Sequence, residues 1–291
     1  MGLVYVANQE SPIQRKVALK IVKPGIDSKE IIARFEVERQ ALAMMDYPNI
    51  AKVFDAGVAQ TVRPYFVMEL IRGLPVTKFC DKHQLSTPAR LELFVQICLT
   101  VLHAHQKGII HRDIKPTNIL VTLHGDVPVP KVIDFGVAKA INQRLTERTV
   151  YTHMTQLIGT PIYMSPEQSE QSSEDVDTRT DIYSLGVVLY ELLVGATPFL
   201  NEQLSEVSYD EMRRIIREQE PLRPSQRLST LDGETGATVS KRRGEAQPKL
   251  VQMMRGELDW IVMKAMAKEV TRRYDTAGDL AADIAFSSTN L

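Results

Sequence analysis

The sequence predicts an α+β protein with two lobes: a small antiparallel β-sheet lobe carrying one helix, then a larger, mainly helical lobe. Three observations predict it. Short apolar runs separated by turn residues crowd residues 1–70, helical periodicity takes over from Thr87, and helical segments dominate after Pro166.

The elements follow in order. Leu3–Ala7 and Lys16–Val22 read as two strands joined by the polar turn Asn8–Gln14. Pro24-Gly25 breaks the chain. Asp27 followed by Glu30 then resembles a capping box opening an amphipathic helix from Ser28 to Met45. Ile50–Phe54 and Tyr65–Glu69 read as further strands, Arg72-Gly73 marks a break, and the second lobe is taken as 71–291. Leu91–Gln106 is apolar-rich and helical, with Gly108 placed to end it. Short strands flank the turn His124-Gly125-Asp126. The polar, Gly/Ser/Pro-bearing stretch 218–248 reads as a long loop or insertion, and there is no internal repeat.

With 291 residues, 44% hydrophobic and 24% charged, the chain has globular proportions and enough length for a large core. A net charge of −1 argues against a nucleic-acid partner, which would want a clustered basic surface. Lys241-Arg242-Arg243 sits among polar residues and reads as solvated loop. Cys80 and Cys98 form no disulfide framework and lack metal-ligand spacing, so they read as buried thiols in a reducing compartment. The N-terminus lacks the basic and apolar regions of a signal peptide, and Val6 stands where myristoylation after Gly2 wants Ser or Thr. The longest apolar stretch, Leu185–Phe199, is interrupted by Glu191 and is too short to span a bilayer. The expectation is a cytoplasmic chain with no membrane segment of its own.

Three constellations carry chemistry. On the helix 28–45, Glu38 falls on the buried stripe of Ile31, Phe35, Leu42 and Met45, so its carboxylate needs a partner. Strand alternation puts Lys20 beside small Ala18, with room above for a flat ligand. A snorkelling lysine and a boundary glutamate explain the same residues. Second, in His111-Arg112-Asp113-Ile114-Lys115-Pro116-Thr117-Asn118 a tight loop can bring together a carboxylate to accept a hydroxyl proton, an ammonium to neutralise a phosphoryl oxygen and an amide oxygen to ligate Mg²⁺. Third, Asp134-Phe135-Gly136 follows the apolar Val132-Ile133, where an Asp at a strand end can hold a metal over a cleft. Alone, Asp-Phe-Gly reads first as a common turn.

With Val17-Ala18-Leu19-Lys20 and the run Gly159-Thr160-Pro161-Ile162-Tyr163-Met164-Ser165-Pro166-Glu167, these motifs resemble the eukaryotic-type (Hanks-type) protein kinases, most closely the bacterial Ser/Thr branch. The resemblance covers nearly the whole chain and implies a bilobal kinase fold, ATP and Mg²⁺ as cofactors, and protein Ser/Thr hydroxyls as substrates. It implies that Lys20 holds the α- and β-phosphates and pairs with Glu38, that Asp113 takes the hydroxyl proton, that Lys115 touches the γ-phosphoryl, and that Asn118 and Asp134 hold magnesium. Val4 and Ala18 would cover the adenine and Leu120 underlie it. Met68 would be the gatekeeper, with Glu69 and Leu70 at the hinge. His111, Phe135 and Leu42 would stack into a spine anchored by Asp181, and Glu167 would pair with Arg273. Thr160 would bridge Asp113 and Lys115, the mark of a Ser/Thr enzyme. Arg112 would answer phosphorylation of the segment between Asp134 and Glu167, with Thr149 and Thr152 as candidate phosphosites and a dimer as one route to autophosphorylation.

The family's Gly-x-Gly-x-x-Gly-x-Val survives only as Gly2 and Val4, so the sequence reads as beginning inside the glycine-rich loop, without the first strand. A late start and a natural shortening both fit, and either is expected to weaken ATP binding. Ser165 stands where the family has Ala. Related proteins often continue into a linker, membrane helix or sensor. A non-catalytic kinase fold acting as a binding module is the first alternative. A small-molecule phosphotransferase is the second, and the Gly-Thr-Pro and Ser-Pro-Glu segments speak against it.

Overall fold

The computed structural model describes residues 3–21, 45–59, 64–135, 161–169, 176–199, 204 and 207–289. Its first sheet is antiparallel and four-stranded, in the order β1-β2-β4-β3: β1 is Leu3–Gln9, β2 Arg15–Ile21, β3 Val53–Val58 and β4 Pro64–Glu69. The register sets Val4 opposite Lys20 and Val6 opposite Ala18, and on the other side Lys20 opposite Phe66 and Ala18 opposite Met68. Directly opposed residues share a face, so Val4, Val6, Ala18, Lys20, Phe66 and Met68 form one surface. The helix expected at 28–45 lies outside the described residues except for Met45, which is buried.

The strand expected at Ile50–Phe54 starts later. Ile50 forms an isolated parallel bridge with Val132 instead. The Val132 N–H donates to Asn49 O at 2.7 Å, the Ala51 N–H to Val132 O at 3.0 Å, and the Asn49 amide to Pro130 O at 2.8 Å. These bonds capture the apolar run for the second lobe before it can join the first sheet. Short-range alternation carries no information about that partner.

The second sheet, β5-β6-β7, combines Leu74–Pro75, Ile119–His124 and Val127–Val132, with Gly125 at φ 62° in the turn that the His-Gly-Asp signal marks. Helices among the described residues are α1 (Val76–Lys82), α2 (Thr87–Gln106), α3 (Pro166–Ser169), α4 (Arg179–Val194), α5 (Tyr209–Glu218), α6 (Pro224–Ser229), α7 (Gly233–Arg243), α8 (Gln247–Met254), α9 (Glu257–Ala265) and α10 (Ala277–Ser288). Ser86 caps α2, and Gly108 ends the helix at φ 74°. The core runs along α4, which is buried almost all round and stops at Gly195 in a left-handed conformation. None of the described helices is long and apolar enough to cross a membrane.

The stretch 218–248 is not a long loop. It holds α6, α7 and the start of α8. Pro224 and Pro248 lie in the first turns of α6 and α8, and the Asp232 carboxylate accepts the Thr235 N–H at 2.7 Å to start α7. The few buried apolar anchors, among them Leu228, Val239 and Leu250, are spread over short helices, so no long periodic face marks them.

The Lys241-Arg242-Arg243 run is also not simply solvated. Arg243 is buried, donating to Leu193 O at 2.6 Å and Leu192 O at 2.9 Å, so it caps the carbonyl end of α4. Buried Arg90 reaches Leu192 O at 3.2 Å and the Asp81 carboxylate at 3.0 Å. Burial, and then the Arg90 cation, draw the Arg243 pKa down to about 9. Asp81 is the carboxylate that pairs with Arg90 and also with Arg242 at 2.9 Å. Asp81→Asn removes that charge from a cluster of cations and is expected to cost about 2–3 kcal/mol. The urea midpoint should fall at constant m-value, and an unchanged midpoint would refute this assignment.

Candidate active site

The loop after α2 is organised by buried groups. Asp181, fully buried in the first turn of α4, accepts the His111 N–H at 2.7 Å and the Arg112 N–H at 2.8 Å. Its Oδ2 also lies 2.8 Å from His105 Nε2. His111 Nε2 is 3.0 Å from Ile133 O, and a carbonyl can only accept, so Nε2 carries a proton. His111 Nδ1 accepts the Asp113 N–H at 3.2 Å, which requires that nitrogen to be bare. The imidazole is therefore neutral. Burial, opposed by the nearby Asp181, lowers its pKa from the usual 6.5. Arg112 takes a left-handed φ of 62° and Asp134 one of 67°, conformations that cost non-glycine residues about 1 kcal/mol or more each and persist only when neighbours impose them.

Two polar groups flank this loop. In the first, the Lys115 ammonium donates to the Asp113 carboxylate at 2.8 Å, and the Asn118 amide donates to Asp113 O at 2.8 Å and Asp113 Oδ2 at 3.1 Å. With its nitrogen turned to Asp113, Asn118 has its amide oxygen as the end suited to a cation. In the second, Lys20 makes an ion pair with Asp134. Both line a cavity with Met45, Val53, Met68 and Phe135. Phe135 packs on the His111 ring at 4.7 Å between centroids, and the Ile133 N–H donates to Asn118 O at 2.9 Å, so backbone and rings join the two groups.

Of the remaining sequence-derived residues, Val4 and Ala18 lie on the Lys20 face of the first sheet. Leu120 lies on β6 opposite Lys131 and Pro75, and Leu70 directly follows β4. Glu69 is held from behind: its N–H donates to Lys52 O at 2.8 Å, and its carboxylate meets Lys131 at 3.1 Å. Glu167 and Arg273 form a buried bidentate pair, both bonds 2.8 Å, and the Thr180 hydroxyl donates to Glu167 at 2.7 Å. Burial opposes ionisation of Glu167, but the Arg273 bonds and charge prevail and hold its carboxyl below the usual range. Gly2, Glu38, Leu42, Gly136, Thr149, Thr152 and Thr160 lie outside the described residues.

Three contacts were not read from sequence. Ser165 and Gln168 bond reciprocally, Ser165 N–H to Gln168 Oε1 at 3.2 Å and Gln168 N–H to Ser165 Oγ at 3.4 Å. The Ser-x-x-Gln spacing could have signalled this capping box. The Gln168 amide also donates to Arg112 O at 3.0 Å. The Tyr163 hydroxyl donates to half-buried Glu191 at 2.6 Å, and no local pattern marks that pair.

The neutral histidine has a pH consequence. Its folded pKa lies below the unfolded value, so its contribution to stability is complete above pH 6.5 and is lost as pH falls through that value towards the folded pKa. Denaturation midpoints between pH 7 and 5 should fall more steeply for the native chain than for His111→Phe. Parallel slopes would show that folding leaves the proton affinity of the imidazole unchanged and would refute this reading.

The family model described as "Protein kinase domain" matches residues 1–273. The chain is 35% identical over 289 residues to the serine/threonine-protein kinase PknB of Mycobacterium leprae, covering 98% of this chain and 40% of that protein. It is 34% identical over 286 residues to the serine/threonine-protein kinase PrkC of Bacillus subtilis, covering 98% and 38% respectively. The chain thus spans about two fifths of the length of these relatives. The crystal structure of the Mycobacterium tuberculosis PknI kinase domain shares the fold at TM-score 0.67 and 22% identity, over 99% of this chain and 91% of that one. On the family match the chain belongs to the protein kinase domain family, and over nearly its whole length it is similar to bacterial Ser/Thr protein kinases.

Proposed function

We propose that this chain transfers the γ-phosphoryl group of ATP to Ser or Thr hydroxyls of proteins. The observation that carries the reading is Asp113 bonded to both Lys115 and Asn118, with Lys20 and Asp134 paired in the adjoining cavity. In this reading Asp113 orients the substrate hydroxyl and takes its proton. The hydroxyl oxygen bonds to the γ-phosphorus as the bond to the β-bridging oxygen breaks, leaving ADP. Lys115 sets a positive charge beside the transferring group, and Lys20 holds the α- and β-phosphates. Val4, Ala18 and Leu120 sandwich the adenine, and Met68, Glu69 and Leu70 border it.

The oxygen donors at Asn118 and Asp134 are hard ligands of the kind Mg²⁺ prefers, one carboxylate and one amide with the remaining positions left to phosphate and water. Bound magnesium would neutralise phosphate charge. The chain's own contribution is a fixed proton acceptor and fixed cations around it.

The relatives' names as Ser/Thr protein kinases support protein hydroxyls as the substrate class. Cys80 and Cys98, both free and buried, support a reducing, cytoplasmic setting. Burial pushes the Cys80 thiol up to about 11, so neither placement nor ionisation favours its oxidation. Regulation would run through Thr149 and Thr152, phosphorylated by a second copy of the chain, with Arg112 as the responding cation.

Asp113→Ala should cut transfer from labelled ATP to a generic basic protein by about 10²–10⁴-fold while leaving the chain folded. A native chain no more active than this variant would leave a non-catalytic binding module as the reading. Mass spectrometry after ATP treatment should find phosphate on Thr149 or Thr152, and an unmodified activation segment would end the regulatory proposal.

A further inference from the structure

We propose that Gln168 is a positioning residue for the catalytic loop, its amide tying the Ser165–Ser169 segment to the peptide unit that aims Asp113. The argument rests on the phosphotransfer reading above. The bond runs from Gln168 Nε2 to Arg112 O at 3.0 Å. That carbonyl belongs to the peptide joining Arg112 to Asp113. The N–H at the other end of the same peptide donates to His111 Nδ1 at 3.2 Å. The peptide plane immediately before the proton acceptor is therefore gripped at both ends. It follows a residue at φ 62°, where an L-side chain relaxes unless its surroundings oppose it. Asp181 fixes the two N–H groups upstream, at His111 and Arg112, but reaches neither end of this peptide. Gln168 supplies the missing restraint.

The amide has only one workable orientation. Its oxygen accepts from the Ser165 N–H at 3.2 Å while its nitrogen donates to Arg112 O, so a flip would set donor on donor and acceptor on acceptor. The segment that carries it is itself anchored. Glu167 is held by Arg273 at 2.8 Å, the Ser169 hydroxyl donates to Pro166 O at 2.6 Å, and Arg213 donates to Ser169 O. A displacement of this segment, which in the phosphotransfer reading supports the substrate peptide, would thus pull on the Arg112–Asp113 peptide through one hydrogen bond. Peptide docking and the aim of Asp113 become mechanically linked.

Gln168→Glu separates this bond from the cap. The carboxylate can still accept from the Ser165 N–H, but it faces Arg112 O with a repelling oxygen. Gln168→Leu removes the donor without adding charge. In the full chain, both variants should lower kcat for transfer to a basic protein by about tenfold, with KM for ATP within about twofold of native. Amide hydrogen exchange at residues 111–113 should quicken several-fold, roughly, while exchange along α4 and the thermal midpoint of the glutamate variant stay at native values. Native kcat in both variants, or unchanged exchange at 111–113, would overturn the proposal. Should the native chain show no transfer above Asp113→Ala, the phosphotransfer reading fails, and the exchange comparison still decides whether Gln168 restrains the loop.

Discussion

A carboxylate sealed from solvent must be supplied with hydrogen bonds, and Asp181 takes much of its supply from the backbone of the loop at His111–Asn118. It is fully buried, and the N–H groups of His111 and Arg112 and the His105 ring all converge on it. Losing any of those donors would leave part of a buried charge unsatisfied, a cost of several kcal/mol, roughly, that the loop avoids by holding one conformation. That conformation forces Arg112 into the left-handed region, turns the His111 ring towards Ile133 O, and sets the Asp113 N–H against the ring's bare nitrogen. The geometry of the candidate site is thus inherited from α4, a helix buried almost all round. The rigidity of the core passes to the loop through two backbone hydrogen bonds rather than through packing alone.

The same logic recurs where buried cations meet helix ends. Arg243 and Arg90 satisfy the last carbonyls of α4, with Asp81 as the nearby carboxylate, while Arg273 joins Glu167 to Ala267 O at 2.8 Å. Each arginine connects elements far apart in sequence. Such pairs add modestly to net stability, since desolvation consumes much of the attraction, but each tolerates few alternative arrangements. Together they fix the position of α4, and α4 in turn fixes the site.

How much of this was legible in sequence depended on the range of the interaction. Hairpins, helix ends at Gly108 and the turn at Gly125 follow local rules, and the residues obey them. The candidate catalytic residues Asp113, Lys115 and Asn118 were marked by a resemblance, and they meet within one short loop. Ile50 was misplaced because its partner, Val132, lies in the other lobe, and apolar alternation cannot name a partner. The helices of 218–248 were missed because short helices with few buried anchors show too little periodicity, although Pro224, Asp232 and Pro248 were visible start signals. Gln168 carried a readable cap pattern, yet its second bond, to Arg112 O, follows only from the three-dimensional path of the loop.

The Lys20–Asp134 ion pair bears on how the two lobes answer a ligand. The lysine belongs to the first sheet and the aspartate follows the second, so each neutralises the other across the cleft. Both are mostly shielded from water, and neither could stand there unpaired at small cost. In the proposed reaction phosphate would take the place of the carboxylate beside Lys20, and a metal the place of the ammonium beside Asp134. Each of the two side chains would exchange one opposite charge for another. Nucleotide binding would then avoid the full penalty of desolvating two isolated charges, because the chain has already removed them from water and holds them apart from bulk solvent. On that reading the ion pair would stand in for the ligand; the mutual pairing is what lets a cation and an anion so costly to bury individually persist in one cavity.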